Sequence, residues 1–425
     1  MKILVVGSGA REHALIKKLS CESSVEAVVC VPGNAGVERE HSASTISSDI
    51  SDPESILSIA ESEAVDLTVV GPELPLANGV ADLFASHDRL LFGPKKSAAR
   101  LESSKAFAKS FMARHAIPTA GFEVCNSYEQ ALDLIRNNRF GPSVVVKADG
   151  LAAGKGVTVA VDHTEAETAI RDAMVARRFG EAGTNVVLEE CLTGPEVSYF
   201  VITDGTKFVS LPSAQDHKRA FDNDVGPNTG GMGAFAPSPL MTPETEQFVV
   251  KNIVGPTISG MHQEGYEYRG VLYVGLMLTD EGPKVIEFNV RFGDPEAQII
   301  LPMVENELAP VLLSAAKGDL GCVDWRLSSE PHVGVVMASG GYPGKYETGF
   351  PITGIERAEK IAGVQVVHAG TVVKDKDIVT TGGRVLTVVA SGGSFTLAIE
   401  RAYKGVEHIS FEGSHARTDI GQKAL

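Results

Sequence analysis

The first hundred residues alternate short apolar segments with helical ones, and this pattern restricts the fold more than any other feature of the chain. Strands are predicted at residues 2–6, 25–31, 66–70 and 90–92. Helices are predicted at residues 10–19 and from Pro53 onward, with Asp52 as the N-cap. This order indicates a doubly wound parallel sheet, whose ligands bind beyond the carboxyl ends of its strands. Polar loops follow those strand ends and form the expected binding edge, at residues 8–12, 33–36 and 71–76.

The chain has 425 residues, which is too long for one core, so about three domains are expected. We assign an N-terminal Rossmann-like unit, a central unit and a small β-rich C-terminal unit, at residues 1–102, 103–328 and 329–425. A small α+β module is expected inside the central unit at about residues 118–190, with capping boxes that begin helices at Ser127 and Thr164.

Composition narrows the classes of partner. A net charge of −16 argues against nucleic acid and requires a local cationic pocket for any anionic substrate. No apolar run approaches the roughly 18 residues that cross a membrane, and the first residues read as a strand instead of a signal peptide. The five cysteines are scattered without C-x-x-C spacing, which is typical of buried thiols in a reducing cytosol, so we expect a cytoplasmic protein.

Glu287, Asn289 and Arg291 alternate with apolar residues near the end of the central unit. Alternation predicts a strand at 284–291 with these three side chains on one face. Carboxylate and amide oxygens suit Mg²⁺, and a guanidinium beside them suits a phosphate that the metal also touches. The alternative is a strand whose outer face is merely wet, which is common in antiparallel sheets.

Two glycine-rich loops are candidates for phosphate binding. Residues 7–12 lack the third glycine of a dinucleotide fingerprint, but they open a helix whose free amides suit a phosphate, with Arg11 beside them. Residues 147–156 let backbone amides approach an anion, with Lys147 at the end of a strand. The alternatives are a tight turn for the first loop and a hairpin without ligand for the second.

Two further segments carry charge. A buried strand at 186–190 ends in acids that can read a nucleoside, although surface glutamates would explain it equally well. Residues 215–235 are predicted to be a long functional loop with the charged cluster Asp216, His217, Lys218 and Arg219, anchored by Phe221, Met232 and Phe235. Together with the metal strand, these parts indicate phosphoryl transfer driven by positioning and electrostatics.

These motifs resemble a known family. The glycine loop, the Glu287–Asn289 strand and the loop between them resemble the ATP-grasp superfamily. Within it, the segments that are similar to the phosphoribosylamine–glycine ligase family are residues 7–13, 71–77, 215–224, 226–234 and 289–296. The resemblance covers essentially the full length. It implies an α/β chain with a central ATP-grasp fold, in which the small module is a lid over the nucleotide.

The resemblance also implies an activity. Members join glycine to 5-phosphoribosylamine with ATP, giving glycinamide ribonucleotide, ADP and phosphate through glycyl phosphate, in de novo purine (IMP) biosynthesis. The implied small-molecule partners are therefore glycine, 5-phosphoribosylamine and ATP, without nucleic acid or membrane. A monomer is compatible with the sequence, which leaves the oligomeric state open.

Family motifs imply residue roles. Nucleotide binding is expected from Lys105, Lys147, Gly154, Lys155, Gly156, Glu189, Glu190, Leu192 and Glu196. Catalysis is expected from Arg291, Asp216 and Lys218, and Mg²⁺ or Mn²⁺ is expected on Glu287 and Asn289. The other substrates are expected at Gly9, Arg11, Glu12, Asn34, Glu73, Asp216 and Arg291. In many superfamily members the strand before the Glu287–Asn289 strand supplies another acidic metal ligand. Residues 271–278, which form that strand here, contain no acid, so the resemblance implies that either water or another loop completes the metal shell.

Three other functions compete with this one. Another ATP-grasp ligase, such as a purine-pathway carboxylase or a peptide ligase, would explain the central unit but not the 226–234 segment. An NAD-linked oxidoreductase rests only on Gly7 and Gly9. A nucleotide sensor without catalysis conflicts with the retained lysines, metal ligands and Arg291.

Overall fold

The computed structural model describes residues 1–152 and 156–425. Its N-terminal part contains a five-stranded parallel sheet in the order β3-β2-β1-β4-β5. The strands are β1 (Lys2–Gly7), β2 (Ala27–Pro32), β3 (Ala43–Thr45), β4 (Leu67–Val70) and β5 (Leu91–Phe92). The helices are α1 (Ala10–Ser20), α2 (Pro53–Ser62), α3 (Glu73–Asn78), α4 (Val80–Ser86) and α5 (Lys96–Ser103). The predicted doubly wound sheet is confirmed, and Asp52 caps α2 as expected by accepting the Glu54 and Ser55 amides.

A second, smaller sheet follows α6 (Lys105–Arg114) and has the antiparallel order β6-β9-β7-β8. Its strands are β6 (Phe122–Cys125), β7 (Val144–Ala148), β8 (Val157–Ala160) and β9 (Val186–Glu190), and it is covered by α7 (Tyr128–Arg136) and α8 (His163–Ile170). We call this α+β module the lid. Ser127 caps α7 as predicted. The prediction for Thr164 is wrong, because Asp162 lies two residues earlier and its carboxylate accepts the Glu165 amide, so the helix has already begun at His163.

The central sheet is antiparallel, with the order β11-β10-β16-β17. The strands of this part of the chain are β10 (Glu196–Thr203), β11 (Phe208–Ser210), β12 (Gln215–Asp216), β13 (Arg219–Phe221), β14 (Val225–Asn228), β15 (Gly233–Ala236), β16 (Gly270–Thr279) and β17 (Gly282–Asn289). Its helices are α9 (Pro243–Val249), α10 (Gly255–Gln263), α11 (Ala297–Ile300) and α12 (Leu308–Lys317). A π-helical turn at Val250–Val254 joins α9 to α10, so residues 243–263 are helical throughout.

The segment 215–235 is not the long loop that the sequence predicts. It forms four short strands, of which β13 and β14 pair as an exposed hairpin. Met232 and Phe235 are fully buried anchors as expected, but Phe221 is 46% exposed and rests edge-on against His415.

The C-terminal strands are β18 (His332–Ala338), β19 (Val364–His368), β20 (Thr371–Lys374), β21 (Asp377–Thr380) and β22 (Arg384–Ser391), with helices α13 (Ile355–Ala358) and α14 (Phe395–His408). Short helical turns complete the chain at Val37–Arg39, Arg171–Val175, Gly180–Gly183, Asp222–Asp224, Leu301–Met303 and Gln422–Ala424. The main sheet here has the order β12-β15-β18-β22-β19, so two of its five strands come from the segment 215–236. The smaller β-rich C-terminal part is confirmed.

Two hydrophobic cores run from the N-terminal sheet to the central sheet. Ile3 and Val5 share one core with Phe200, whereas Leu4 and Val6 share the other with Tyr199. Alternate residues of β1 and of β10 therefore face opposite cores, as the two-residue period of a strand requires. This shared packing fixes the binding edge of the first sheet against the metal strand. Within the described ranges, no helix has the length and apolar character that a membrane crossing requires.

Candidate active site

Glu287 and Asn289 lie at the end of β17, opposite Gly275 and Tyr273 of β16. The pairing slips between Gly275 and Leu276, so that Val285 and Phe288 both enter the core and Ile286 does not. The predicted alternation is therefore wrong at Ile286, because a β-bulge adds one residue to the strand. Gly275, opposite Glu287, leaves room for the glutamate side chain, since a Cβ there would lie 3.3 Å from Glu287 Cγ.

Arg291 lies beyond the strand, which ends at Asn289 and not at residue 291 as predicted. Its guanidinium still reaches back and donates to Asn289 Oδ1 at 3.2 Å. Glu102 Oε1 lies 2.9 Å from Arg291 Nη2, and Glu73 Oε2 lies 3.5 Å from its Nε. Burial opposes the charged form, but the two carboxylates outweigh it and raise the pKa of Arg291. The arginine is thus a cation held in place beside Asn289 and Glu287.

Four cations act electrostatically on the Glu287 carboxylate. Burial raises the pKa of Glu287, yet the net pKa is lowered by Lys218, Lys147, Lys105 and Arg291, in that order. Lys147 Nζ donates to the Ile286 carbonyl at 3.0 Å, directly before Glu287. Lys105 begins α6 and donates to the Gly150 carbonyl at 3.0 Å, at the mouth of the glycine loop. The sheet edge thus combines hard oxygen ligands with a concentration of positive charge, which suits a metal-bound polyphosphate.

Further residues expected to bind the nucleotide lie on β9, in the segment after it, and next to β8. Glu189 is deeply buried and bridges Lys109 and Lys147, so its carboxylate is already paired inside the protein. Glu190 accepts the Gly121 amide at 3.0 Å, and Leu192 follows in the segment between β9 and β10. Gly156 accepts the Ala148 amide through its carbonyl at 2.8 Å. Gly154 and Lys155 lie outside the described residues.

Asp216 ends β12, and Lys218 lies between β12 and β13. Lys218 Nζ lies 2.5 Å from the Glu196 carboxylate. Burial raises the pKa of Asp216 to about 7, with Glu296, Glu196 and Glu287 acting in the same direction and Lys218 against it. The pKa of Lys218 is raised, because Asp216 and Glu196 outweigh its burial. Asp216 is therefore a carboxyl group that can exchange a proton near neutral pH. His217 points away and packs on Phe235.

The N-terminal loop departs from its prediction. The Gly9 amide is not free for a phosphate, because it donates to Glu12 Oε2 at 2.6 Å. Glu12 also accepts Arg11 Nε at 2.7 Å, and a Cβ at Gly71 would lie 2.0 Å from the same carboxylate. Glu12 thus closes the helix N-terminus from inside. Arg11 keeps its second contact with the Phe292 carbonyl at 3.2 Å, next to the Arg291 site.

Asn34 is likewise committed to the protein. Its amide nitrogen donates to the Ser8 and His368 carbonyls at 2.8 and 3.0 Å, and its oxygen accepts the Gly36 amide at 2.9 Å. These contacts tie the first sheet to the C-terminal part, and the ligand contact expected of Asn34 stays a prediction. Glu73 remains at the cleft, where burial raises its pKa but Arg291 and Arg11 lower it overall.

Several residues of the site were not predicted from the sequence. Glu102 holds Arg291, and Arg384 holds Asp294 at 2.8 Å. Lys109 was detectable in principle, because it lies one helical turn after Lys105 on α6. In the described ranges, no group of three or more His, Cys, Asp or Glu side chains is arranged to hold a metal.

Family models cover the chain almost from end to end. The N domain of phosphoribosylglycinamide synthetase matches residues 1–102, its ATP-grasp (A) domain residues 103–297 and its C domain residues 332–423. The chain belongs to the phosphoribosylglycinamide synthetase family. As a member of this family it is a carbon–nitrogen ligase that uses ATP.

Relatives agree along the whole length. The phosphoribosylamine–glycine ligases of Vibrio parahaemolyticus and of Escherichia coli O6:H1 are each 46% identical to this family member, over 100% of this chain and 99% of theirs. The crystal structure of the Thermotoga maritima phosphoribosylamine–glycine ligase matches with a TM-score of 0.85 at 33% identity, covering 99% of this chain and 100% of that one. A biotin carboxylase from Campylobacter jejuni, at 16% identity and a TM-score of 0.75, shares the fold alone. The recognised family and fold class are thereby confirmed.

Proposed function

We propose that this chain joins glycine to 5-phosphoribosylamine at the expense of ATP, and so makes glycinamide ribonucleotide for purine biosynthesis. The observation that carries this proposal is the group of four cations around Glu287, at an edge shared by the first sheet and the ATP-grasp sheets. Such an arrangement suits a polyphosphate and a carboxylate that react together. We also propose the three units 1–102, 103–328 and 329–425 as its domains.

ATP would bind between the lid and the central sheet. Lys105 and Lys147 are our candidates for its phosphates, with Gly154, Lys155 and Gly156 in the loop above them. The backbone near Glu190 and Leu192, together with Glu196, would hold adenine and ribose. We propose Glu189 as the group that sets the position of Lys147, because its carboxylate is already engaged by two lysines.

The metal-binding proposal rests on the donor set. Glu287 and Asn289 offer two hard oxygens on adjacent positions of one strand face, which fits Mg²⁺ or Mn²⁺ held mainly by water and phosphates. When bound, the ion would neutralise charge on the ATP phosphates. Glu296 is the nearby acid that could replace the one absent from β16, since it acts electrostatically on Asp216 together with Glu287.

In the first step, a glycine carboxylate oxygen would attack the γ-phosphorus, so that glycyl phosphate forms and ADP leaves. Arg291 would hold the transferring phosphoryl group, because Glu102 and Glu73 fix its guanidinium. In the second step, the ribosylamine nitrogen would attack the acyl carbon and phosphate would leave. Asp216, with a pKa of about 7, is our candidate for accepting the amine proton, and Lys218 would stabilise the acyl phosphate.

The ribosylamine would enter from the N-terminal sheet. Arg11 and Glu73 are our candidates for contacts with it, since Arg11 contacts the Phe292 carbonyl next to Arg291 and Glu73 lies 3.5 Å from the Arg291 guanidinium. Gly9 stays a candidate from the sequence alone, because its amide already donates to Glu12. Glu12 and Asn34 would instead shape the loop, because their polar groups already have partners in the protein.

A coupled ADP-release assay tests the proposal, with glycine and freshly prepared 5-phosphoribosylamine as separate variables. ADP release that requires both substrates is the expected result. Turnover that ignores glycine would refute the assignment, and turnover with bicarbonate or another carboxylate would point to a different ATP-grasp ligase. Substitution of Lys404, an exposed partner of Glu400 on α14, provides a control with unchanged turnover.

A further inference from the structure

A buried carboxylate lies between two buried lysines beneath the proposed nucleotide site. Glu189 Oε2 lies 2.7 Å from Lys109 Nζ, and its Oε1 lies 3.0 Å from Lys147 Nζ. All three side chains are at most 5% exposed. They come from different elements, since Lys109 is on α6, Lys147 on β7 and Glu189 on β9. Only Lys147 and Glu189 are part of the expected nucleotide set, so Lys109 is an unassigned cation in contact with it.

The same lysines reach the metal strand from two sides. Lys109 Nζ donates to Thr119 Oγ1 at 2.7 Å, and this hydroxyl donates to the Val285 carbonyl at 2.7 Å. Lys147 Nζ donates to the next carbonyl, of Ile286, at 3.0 Å. The contacts therefore close a circuit, which we call the polar ring: Lys109, Glu189, Lys147, Thr119 and the carbonyls of Val285 and Ile286. The polar ring contacts β17 at its β-bulge, directly before Glu287.

The charges of the polar ring indicate what Lys109 contributes to it. With two lysines and one carboxylate, the ring has a surplus positive charge next to the nucleotide cleft. An ammonium has three donors: Lys147 donates one to the Ile286 carbonyl, and its 3.0 Å contact with Glu189 Oε1 is an ion pair that can occupy a second. One donor remains for a phosphate. Without Lys109, Glu189 would have only Lys147 as a cationic partner in the ring, and the stronger pairing would draw this lysine away from the cleft.

The burial of Lys109 carries a cost that its function can explain. Desolvation lowers the pKa of Lys109 to about 8, although Glu189 opposes this shift. A methionine of similar length would avoid that cost and fill the same volume. A side chain that only filled space would need no charge at this position, whereas a side chain that pairs with Glu189 needs a positive charge.

We propose that Lys109 is a positioning residue for ATP: it shares Glu189 with Lys147, which keeps Lys147 available to the phosphates, and through Thr119 it fixes the backbone that carries Glu287. This inference rests on the proposed function, because it assumes that Lys147 contacts ATP. It adds to that function a residue that touches no substrate and acts through two that do.

The test compares Lys109→Met with Lys109→Arg, which keeps the charge. ADP affinity is measured by titration calorimetry without glycine, and KM for ATP and for glycine is measured by ADP release. For Lys109→Met we expect ADP affinity to fall and KM for ATP to rise by about tenfold, as for other residues that orient a ligand-binding group. KM for glycine should stay at the wild-type value, and Lys109→Arg should recover most of the ADP affinity.

Lys17→Met is a matched control. Lys17 lies 2.8 Å from Glu40, which also contacts His13 at 3.1 Å, so here too one carboxylate is shared between two basic groups. This group joins the N-terminal and C-terminal parts, away from the lid. Its loss should lower the melting temperature and leave ADP affinity unchanged.

Thr119→Val covers the case in which Lys109→Met does not fold. It removes one hydroxyl from the polar ring and keeps all three charged side chains, so we expect a smaller loss of ADP affinity in the same direction. Wild-type ADP affinity in a folded Lys109→Met or, if that protein is insoluble, in Thr119→Val would overturn the proposal, as would equal losses in the Lys17 control. A wild-type protein that binds ADP but shows no glycine-dependent turnover would refute the proposed function, while the ADP titrations would still decide the role of Lys109.

Discussion

Replacing Glu102 by glutamine tests whether a buried carboxylate holds the reactive arginine in place. Glu102 divides its two oxygens between Arg291 Nη2, at 2.9 Å, and the Val290 amide, at 2.8 Å. Glutamine has one oxygen and an amide group of nearly the same shape. It can therefore satisfy one of these donors, and its own N–H groups face the other.

The structure sets the magnitude of this effect. A buried donor without an acceptor costs about 1–3 kcal/mol, and a broken buried ion pair costs about 3–5 kcal/mol. Arg291 retains Glu73 at 3.5 Å and is 18% exposed, which softens the loss. We expect the free energy of unfolding to fall by about 2–3 kcal/mol. A guanidinium displaced by about 1 Å should lower kcat by roughly 100-fold.

The assay is ADP release at saturating ATP and glycine, with denaturant unfolding measured in parallel. Glu73→Gln is the matched control, because it removes the more distant and more exposed partner of the same arginine and should lower kcat less. If Glu102→Gln loses stability and keeps kcat within about twofold of wild type, Glu102 does not set the working position of Arg291. That result would refute the reasoning.

Glu287→Gln should abolish measurable turnover and lower the melting temperature only modestly, because this side chain lies on the polar face of its strand but also offsets the charge of nearby cations; full activity at ordinary Mg²⁺ would contradict the metal proposal. Glu22→Ala should destabilise the protein by about 2–4 kcal/mol, since Glu22 accepts the first two amides of α12 from a buried position, and a loss below about 0.5 kcal/mol in denaturant unfolding would contradict this role. Acidification should weaken the contact between the N-terminal and C-terminal parts, because burial lowers the pKa of both His13 and His368. The neutral forms are favoured in the folded state, so stability is complete above pH 6.5 and is lost as the pH falls, by up to about 2 kcal/mol per histidine at pH 5. A His13→Gln protein should have a shallower dependence of unfolding free energy on pH between 7 and 5, and an unchanged slope would contradict the assignment.

The N-terminal sheet was predictable because each strand is a continuous apolar run followed by a polar loop, and this pattern depends on local sequence alone. The segment 215–235 was not, because its strands have two to four residues. So few positions cannot display a two-residue period, and one of the two pairing partners of β15, strand β18, lies about a hundred residues away in the C-terminal part.

Candidate residues were recognisable by chemical type, but their partners were not. Glu12 and Asn34 have the side chains expected of ligand contacts, yet they are occupied by the Gly9 amide and by a carbonyl of His368, 334 residues away in sequence for Asn34. Lys109 shows the reverse case, since a lysine inside a helix is usually solvated and only the tertiary fold surrounds it with Glu189 and Thr119.

Strands β12 and β15, which the segment 215–236 contributes to the C-terminal sheet, have a consequence for synthesis on the ribosome. Strand β15 is complete at Ala236, whereas its partner β18 begins at His332. At a synthesis rate of about 5–20 residues per second, the nascent chain carries this unpaired edge for roughly 5–20 s. Phe235, which is fully buried among residues of the C-terminal part in the finished protein, is uncovered during that interval. The edge that later joins the C-terminal part to the rest of the molecule is therefore also where an unfinished chain is most open to pairing with another copy of itself.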